Sequence, residues 1–429
     1  MKVFFHTLGC KVNRYETERM LEGLMGVGFS LTQTPTDADL IVVNSCTVTA
    51  ESDRKTRQIT RRYKRQNPSA VLLLTGCMPQ AFPDDAASLP ADIIIGNGSE
   101  RNIVNEVQSF FENRSKIINV SPHFTGELFE AGALKDFSER TRAYMKIEDG
   151  CNRGCTYCII PKARGRVRSR SLDYIKTEAE NLASNGFKEL VLVGINLSSY
   201  GSDINLTLAD AVKTAANVKG IERVRLGSLE PDLTTEALLL ELKKIPQFCP
   251  QFHLSLQSGC NATLKRMNRL YTAEEYLAVC DKIKSLWNNA SFTTDIMVGF
   301  IGEDDNEFNE SLDFAKKVRF LKAHIFPYSV RQGTVAARMS GRVSEQIKSK
   351  RAEIMASTCD DISKKVMSDI IGLTRSVLFE RSENGFTEGY SEDYVRVFVK
   401  ENRALQGRVV KVKIKELMLD GVLAEPVEE

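Results

Sequence analysis

The chain has 429 residues, of which 42% are hydrophobic and 27% are charged. This is the composition of a globular protein, and the length predicts two or three domains. The formal net charge of +2 at pH 7 excludes a protein that binds nucleic acid through its overall charge, although it allows local basic patches.

The amino terminus and the apolar runs predict a cytoplasmic protein. The opening residues MKVFFHTLGCKVNRYETE contain too short an apolar run for a secretory signal, and charges follow at once. No stretch approaches the ~20 apolar residues that cross a bilayer. In the cytoplasm, the ten cysteines of so long a chain are expected to be metal ligands or redox groups rather than disulfides.

The first segment, residues 1–134, alternates short apolar runs with helical stretches. The runs KVFFHT, ADLIVVNS, AVLLLTG and ADIIIGN are typical of buried strands. The stretches TERMLEGLMGVGF and SDRKTRQITRRYKRQN between them are typical of helices. This order predicts an α/β domain with a parallel sheet.

The second segment, residues 135–365, repeats the alternation with six strand-like runs, and a polar helix, SEQIKSKRAEIMASTCDDISKKVMSDI, leads away from it. Six βα units predict a partial parallel barrel with its chemistry at the carboxyl ends of the strands. The third segment, residues 366–429, has only short strand-like runs and predicts a small antiparallel barrel. The six runs of the second segment are RAYMKIE, KELVLVGIN, RVRLGSL, QFHLSLQ, FTTDIMVGF and KAHIFPYS.

The strongest chemical signal is CNRGCTYC, in which Cys151, Cys155 and Cys158 have the spacing C-x3-C-x2-C. Thiolates are the usual ligands of iron–sulfur clusters, and three of them leave one iron of a 4Fe–4S cubane open for a substrate. Tyr157 is placed to bring an aromatic ring beside that iron. The alternative is a zinc site, which normally needs a fourth local Cys or His that this segment lacks.

A second set of cysteines has no motif spacing, but each member closes an apolar strand. Cys10, Cys46 and Cys77 end FFHTLGC, LIVVNSC and LLLTGC. The carboxyl ends of parallel strands lie on one edge of a sheet, so these thiols are expected to converge and to hold a second cluster. The alternative is three small buried hydrophobic residues. The other four cysteines are expected to be core or surface thiols: Cys249, Cys260, Cys280 and Cys359.

Two basic runs predict phosphate contacts. One lies on the predicted helix 52–67, and the other follows the cysteine loop. Concentrated positive charge of this kind binds phosphates, and the alternative is a solvated helix face with arginines paired to carboxylates. The first run contains Arg54, Lys55, Arg57, Arg61, Arg62, Lys64 and Arg65, and the second contains Lys162, Arg164, Arg166, Arg168 and Arg170.

The signature CNRGCTYC resembles that of the radical S-adenosylmethionine superfamily. Further pieces resemble the methylthiotransferases within it over essentially the whole chain, and the opening TLGCKVNRYETE is most similar to the branch that modifies N6-threonylcarbamoyladenosine in tRNA. The sister branches act on isopentenyladenosine in tRNA or on an aspartate of a ribosomal protein. The pieces are HTLGCKVNRYETE, VVNSCTVT, TGCMPQ, CNRGCTYCIIPKARGRVRSR, LSLQSG, MVGFIGE and YSVRQGT.

The resemblance implies three domains and two 4Fe–4S clusters. Cys10, Cys46 and Cys77 would hold one cluster in an N-terminal methylthiotransferase domain (1–134), and the CNRGCTYC cysteines would hold the other in a radical barrel (135–365). A TRAM domain (366–429) would bind RNA. The reaction implied is methylthiolation of C2 of the adenine next to the anticodon, with S-adenosylmethionine as cofactor.

Several further residues and partners follow from this reading. Glycine and carboxylate residues at strand ends are candidates to cradle S-adenosylmethionine, although turn and cap roles explain each of them equally well. The partners expected are tRNA and a reductant such as flavodoxin, with neither DNA nor a membrane. The cradle candidates are Gly194, Asn196, Glu230, Asp295 and Gly299, together with Tyr157, and the arginines expected at the RNA are Arg164, Arg166, Arg168 and Arg170.

Two other classes of function compete with this one. The same two clusters would serve a protein-modifying enzyme, and an iron–sulfur or zinc protein without enzymatic activity would bind RNA but cleave no cofactor.

Overall fold

A computed structural model describes residues 1–129, 132–137 and 141–427, without the side chains of residues 99–101. Within this part of the chain, no helix is both long and apolar enough to cross a membrane. The predicted domain limits at 134/135 and 365/366 stay a prediction, and the last residues of the third predicted domain, Glu428 and Glu429, lie outside the described residues.

The amino-terminal part forms the predicted parallel sheet of six strands, in the order β2-β1-β3-β4-β5-β6. Its strands are β1 (Lys2–Thr7), β2 (Ser30–Leu31), β3 (Leu40–Ser45), β4 (Val71–Gly76), β5 (Ile93–Ile95) and β6 (Ile117–Asn119). The helices between them are α1 (Lys11–Gly26), α2 (Ala50–Gln66), α3 (Cys77–Ala81), α4 (Pro83–Ala87) and α5 (Ile103–Asn113).

Helices cover both faces of this sheet, which is why its strands are apolar throughout. Leu24 of α1 and Val107 of α5 pack on one face, against Val42 and Leu73. Tyr63 of α2 packs on the other face. At the carboxyl edge of the sheet, Cys77 and Ala81 of α3 pack against Ile159 and Ala163, which follow the CNRGCTYC segment.

The middle part is the predicted partial barrel. Six parallel strand positions follow one another in chain order, and the third is broken at Gly227 into a piece that pairs with the second strand and a piece that pairs with the fourth. The strands of this part, with one short hairpin (β8 and β9), are β7 (Arg142–Lys146), β8 (Glu148–Asp149), β9 (Arg168–Ser169), β10 (Glu189–Val193), β11 (Arg223–Leu226), β12 (Ser228–Leu229), β13 (Gln251–Leu254), β14 (Ser291–Val298) and β15 (Lys322–Pro327).

Helices surround this barrel on the outside. The outward residues of each strand, such as Leu190 and Leu192 of β10, pack against them in the largest apolar core of the molecule. Alternate residues therefore face the lumen, among them Val191 and Val193. The outer helices are α7 (Leu172–Ser184), α8 (Leu208–Ala216), α9 (Glu236–Lys243), α10 (Asn261–Arg266), α11 (Ala273–Leu286), α12 (Asp305–Val318) and α13 (Glu345–Ser368). A further short helix, α6 (Ile160–Arg164), packs against α3 of the first part instead.

The carboxyl-terminal part is a closed barrel of five strands, as the short alternating runs predict. A turn of this small barrel lies against the amino-terminal end of the larger one. Arg225 of the third strand donates to the backbone oxygens of Ser391 and Glu392, both at 3.1 Å. The strands are β16 (Thr374–Glu383), β17 (Phe386–Ser391), β18 (Arg396–Lys400), β19 (Val409–Met418) and β20 (Gly421–Pro426).

Candidate active site

The cysteines of CNRGCTYC lie on one loop after β8, at the carboxyl end of the first barrel strand. Cys151, Cys155 and Cys158 are all half-buried. The backbone N–H of Thr156 donates to the Met267 oxygen at 3.0 Å, so the loop between α10 and α11 holds the middle of the cysteine loop in place. The three thiols are thereby presented together at the end of the barrel where parallel barrels carry their chemistry.

Each sulfur of this loop receives an N–H donor. Such donors stabilise thiolates and cluster sulfurs, and they are a main means by which a protein sets the potential of an iron–sulfur cluster. The donor set therefore fits a thiolate-bound cluster. The pairs are Arg153 N to Cys151 Sγ at 3.4 Å, Ile160 N to Cys158 Sγ at 3.4 Å and Arg269 Nη1 to Cys155 Sγ at 3.3 Å.

Burial raises the pKa of two of these thiols, that of Cys151 to about 11 and that of Cys158 to about 12. Without iron, both groups are therefore thiols at neutral pH. Because metal binding requires thiolates, assembly of a cluster here releases protons and is disfavoured by acid.

The second set of cysteines also converges. The strands β1, β3 and β4 are in register at their carboxyl ends, because Asn44 pairs with both Thr7 and Thr75. The residues that follow these ends begin the next helical or turn segment on the same edge of the sheet. The cysteines stand within three residues of the three strand ends, as Cys10, Cys46 and Cys77.

Two glycines allow the strand ends to approach closely. Gly9 has φ +113°, and a Cβ there would lie 2.9 Å from the Cβ of Cys46. Gly76 has φ +95°, and a Cβ there would lie 2.5 Å from Oδ1 of Asn44. Any side chain at these positions would push the turns apart, so glycine before Cys10 and Cys77 keeps the three thiols close together.

A buried arginine joins the two cysteine sets. Arg164, on α6 just after the cysteine loop, donates Nε to Cys77 Sγ at 3.3 Å. Its Nη2 donates to Glu16 Oε2 at 2.8 Å, and its Nη1 lies 3.5 Å from Asp149 Oδ2. Burial and the Cys46 thiol raise the pKa of Cys77, while the Arg164 guanidinium lowers it, with a net rise to about 12. This thiol too must release its proton to solvent when it binds iron.

The structure places three of the four arginines predicted to bind RNA inside the protein. Arg164, Arg168 and Arg170 are buried. Arg168 lies 3.4 Å from Asp149, and Arg170 lies 2.8 Å from Glu178. A charge of this kind stays inside the protein only when it is paired, and here the pairing leaves no group for phosphate. Arg166 alone of the four is exposed.

No set of three or more His, Cys, Asp or Glu side chains in the described part surrounds a single metal ion. A cubane binds each thiolate to a different iron, so its ligands lie farther apart than those of one ion. His123 lies beside the loop, but its Nδ1 contacts Glu127 at 2.7 Å and its Nε2 contacts the Ala163 oxygen at 3.3 Å. The residues present therefore fit a cluster better than zinc.

Two of the predicted cradle residues lie directly beside the cysteine loop. Asn196 is buried, its Nδ2 lies 3.7 Å from Cys151 Sγ, and its Oδ1 has no hydrogen-bond partner among the described residues. Its N–H donates to Glu148 Oε2 at 2.7 Å, and a Cβ on Gly194 would lie 2.5 Å from the same oxygen. The Glu148 side chain therefore leaves room only for glycine at position 194. By contrast, Oδ1 of Asn196 is available to accept a hydrogen bond from a ligand.

The other predicted cradle residues have partners of their own. Glu230 pairs with Arg269, the residue that donates to Cys155. A Cβ on Gly299 would lie 2.4 Å from Cγ of Lys348, so packing against α13 explains this glycine. Asp295 lies on the lumen face of β14, 3.4 Å from His253 Nε2.

Tyr157 packs edge-on against Phe300, with 6.2 Å between the ring centroids. The Tyr157 ring therefore packs against the barrel next to the cysteine loop and helps to hold the loop in place.

Two residues that sequence reasoning missed also contribute to the site. Glu148 is fully buried, and burial raises its pKa well above the usual range. Arg269 reaches Cys155 from the turn after α10. Neither lies in a recognisable motif, and Arg269 is far from the loop in sequence, so only the folded chain identifies them.

Two family models match the chain. The Radical SAM superfamily matches residues 145–315, which include the cysteine loop and most of the partial barrel. The Uncharacterized protein family UPF0004 matches residues 2–96, which include Cys10, Cys46 and Cys77. The two matched regions thus contain one cysteine set each.

Three relatives match nearly end to end. The "Threonylcarbamoyladenosine tRNA methylthiotransferase MtaB" of Thermotoga maritima is 38% identical over 98% of this chain and 96% of the relative. The protein of the same name from Bacillus subtilis is 36% identical over 96% and 93%. A "tRNA-2-methylthio-N(6)-dimethylallyladenosine synthase" of Pelotomaculum thermopropionicum is 34% identical over 95% and 93%.

Solved structures support the fold. The radical S-adenosylmethionine methyltransferase TsrM of Kitasatospora setae aligns with a TM-score of 0.55 at 11% identity, over 90% of this chain and 77% of that one. The cobalamin-dependent radical enzyme OxsB aligns with a TM-score of 0.52 at 12% identity, over 84% and 56%. Together with the relatives, these likenesses show that the chain is an enzyme of the radical S-adenosylmethionine methylthiotransferase family, in the branch of the Thermotoga maritima and Bacillus subtilis proteins.

Proposed function

We propose that this enzyme methylthiolates C2 of N6-threonylcarbamoyladenosine in tRNA, next to the anticodon, with two 4Fe–4S clusters and S-adenosylmethionine. The observation that carries the proposal is the pair of cysteine sets in one molecule, joined through Arg164. The names of the nearly full-length relatives supply the substrate.

The target explains why a cofactor is needed. The hydrogen on C2 of an adenine ring is not acidic, and no side-chain base removes it, so acid–base catalysis alone does not suffice. S-adenosylmethionine, when bound at the open iron and reduced, supplies the hydrogen-atom abstraction. The chain's own residues hold, orient and shield the reacting groups.

The roles of the residues follow from their positions. Cys151, Cys155 and Cys158 would hold the barrel cluster with one iron open, and the unpaired Oδ1 of Asn196, beside Cys151, would accept a hydrogen bond from the bound cofactor. Glu230, held by Arg269, is placed to accept hydrogen bonds from a ribose. Gly194, Gly299 and Asp295 are proposed to shape the same cavity, while Tyr157 supports the loop. Cys10, Cys46 and Cys77 would hold the cluster that delivers sulfur.

The tRNA would meet the enzyme at exposed basic groups. Arg166 beside the cysteine loop is exposed, and Arg57, Arg61 and Arg65 on α2 have no carboxylate partner among the described residues. These cations are suited to phosphates. We further propose that the carboxyl-terminal barrel also contacts the tRNA. The enzyme would act in the cytoplasm and receive electrons from a flavodoxin-like reductant.

The experiment compares tRNA nucleosides by mass spectrometry from cells with and without the gene. Loss of the 2-methylthio derivative of threonylcarbamoyladenosine is expected. Loss of a methylthiolated isopentenyl-type adenosine instead would move the enzyme to the dimethylallyl branch, to which a 34% identical relative belongs by name. Unchanged tRNA, with a ribosomal peptide that loses mass, would assign a protein substrate.

A further inference from the structure

A cation without a counterion follows directly after a proposed cluster ligand. Lys11 is the first residue of α1, next to Cys10. No carboxylate of the described residues lies within ion-pair distance of its ammonium group, although almost every other cation near the site is paired. The mechanism described above uses no such cation, so its presence calls for a partner.

The neighbours of Lys11 place it in the barrel lumen. The next residue, Val12, packs against Val191, Val193 and Tyr144, which lie on the lumen face of the barrel strands. Lys11 keeps an exposed surface, and its side chain lies near Tyr394, Arg142 and Arg225. These neighbours place the side chain of Lys11 in a cavity that is open to solvent and lined by protein.

Most of the other charged groups in the lumen already have partners. Asp295 contacts His253 Nε2 at 3.4 Å, and Glu189 pairs with Arg225 at 3.0 Å. Arg142 pairs with Glu380.

None of the remaining described groups that face Lys11 is a carboxylate. They are the Cys10 thiol, the phenol of Tyr394, His324, whose ring lies 6.2 Å from that of His253, and Lys322 on the lumen face of β15. The lumen thus has an excess of positive charge, and its ligand is expected to bring an anion.

We propose that Lys11 binds the carboxylate of the threonylcarbamoyl group on the substrate adenine. The inference rests on the proposed function and names the residue that recognises its substrate. The adenine must lie near the sulfur-delivering site at Cys10, and the lysine stem reaches from there into the lumen. A carboxylate on an ammonium group makes a strong charge-assisted hydrogen bond.

Recognition of a carboxylate by Lys11 would also disfavour dimethylallyladenosine, the tRNA substrate of the sister branch. A dimethylallyl group is a hydrocarbon, and it would leave Lys11 desolvated without a partner. Sites built to bind a polar group reject an analogue that lacks it much more strongly than apolar pockets reject a small size difference.

The test uses anaerobically reconstituted full-length enzyme and two anticodon stem-loops. One carries threonylcarbamoyladenosine and the other its methyl ester, which removes only the negative charge. We expect wild-type enzyme to bind the free acid about tenfold or more tightly than the ester. Lys11→Gln should lower this ratio to about one, and Lys11→Arg should keep most of it.

A matched control removes a cation elsewhere. Lys213 is exposed on the outer helix α8, and Lys213→Gln should leave the acid-to-ester ratio at its wild-type value. A Lys11→Gln enzyme that keeps the wild-type ratio would overturn the role of Lys11 and leave the proposed function standing. Wild-type enzyme that methylthiolates neither stem-loop would overturn both.

Discussion

At the residue scale, Arg164 connects the cluster-binding parts of the molecule. It is fully buried, and it contacts Cys77 of one cysteine set while lying on the helix that follows the other. Glu16 and Asp149 compensate its charge. Removal of one partner from such a buried ion pair leaves an uncompensated charge, which costs about 3–5 kcal/mol.

Arg164→Gln is therefore expected to lower the free energy of unfolding by about 3–5 kcal/mol, measured by urea denaturation of the apoprotein. Glu16→Gln in the same chain should restore part of the loss, because without Arg164 the carboxylates of Glu16 and Asp149 share the one ammonium group of Lys146. Arg166→Gln is the matched control, since Arg166 is exposed and should change stability by less than about 0.5 kcal/mol. Equal effects of the two arginine substitutions would contradict the assignment of Arg164 to the interior.

The two cysteine sets predict separable activities. Cys155→Ala should abolish formation of 5′-deoxyadenosine from S-adenosylmethionine with dithionite, because the open iron is lost. Cys46→Ala should spare part of this cleavage but stop formation of the methylthio product. Both products can be measured in one reaction by liquid chromatography and mass spectrometry. Equal loss of both activities in both variants would rule out a division of labour.

The positions of the cysteines follow from the local sequence pattern, whereas the partners of the arginines do not, for a physical reason. A cysteine at the end of an apolar run must fall on the carboxyl edge of a parallel sheet, so its location follows from local pattern. The partners of Arg164 and Arg170 are Glu16 and Glu178, and Glu16 is distant in sequence. Whether an arginine is paired or free therefore depends on tertiary contacts that local pattern does not contain.

At the element scale, α2 presents its cations to solvent. Arg57, Arg61 and Arg65 recur every four residues and so lie on one face of the helix. The opposite side buries Thr56, Thr60 and Tyr63 against the sheet. The free cations form a stripe that fits a line of phosphates.

Replacement of these three arginines by glutamine should weaken tRNA binding and make it less sensitive to salt. Each lost phosphate contact reduces the magnitude of the slope of log K against log salt by about 0.7–0.9. The slope of the triple variant should therefore be smaller in magnitude by about two. Filter binding at several salt concentrations measures both quantities.

The matched control for α2 is the triple substitution Lys213→Gln, Lys219→Gln and Lys317→Gln, which removes the same charge from exposed sites on the barrel's outer surface. This variant should keep the wild-type affinity and slope. If it lost as much affinity as the α2 variant, net charge alone would explain the effect and α2 would have no special role.

The strands and helices themselves follow from the sequence more reliably than the loops that hold the site. The apolar runs of the first sheet and the polar length of α13 mark these elements clearly. The bond from Thr156 to the Met267 oxygen joins segments more than 100 residues apart. The hydrophobic periodicity of the sequence does not predict a contact of this kind between distant loops.

At the scale of the whole molecule, the first sheet and the small barrel both pack against the central barrel. The first sheet places its cysteines opposite the barrel loop, α1 enters the open side of the barrel, and the small barrel covers the far end through Arg225. The order of these parts could be predicted from the sequence, because each has its own strand pattern. Their mutual placement depends on buried pairs such as Glu189 with Arg225.

Iron and acid-labile sulfide per chain, measured after anaerobic reconstitution, test most directly whether six thiolates form two cluster sites. The wild-type chain should bind about eight irons and about eight sulfides. Replacement by alanine of either Cys10, Cys46 and Cys77 or Cys151, Cys155 and Cys158 should leave about four of each. A wild-type content of about four, or a triple variant that keeps the full wild-type content, would contradict the two-cluster site.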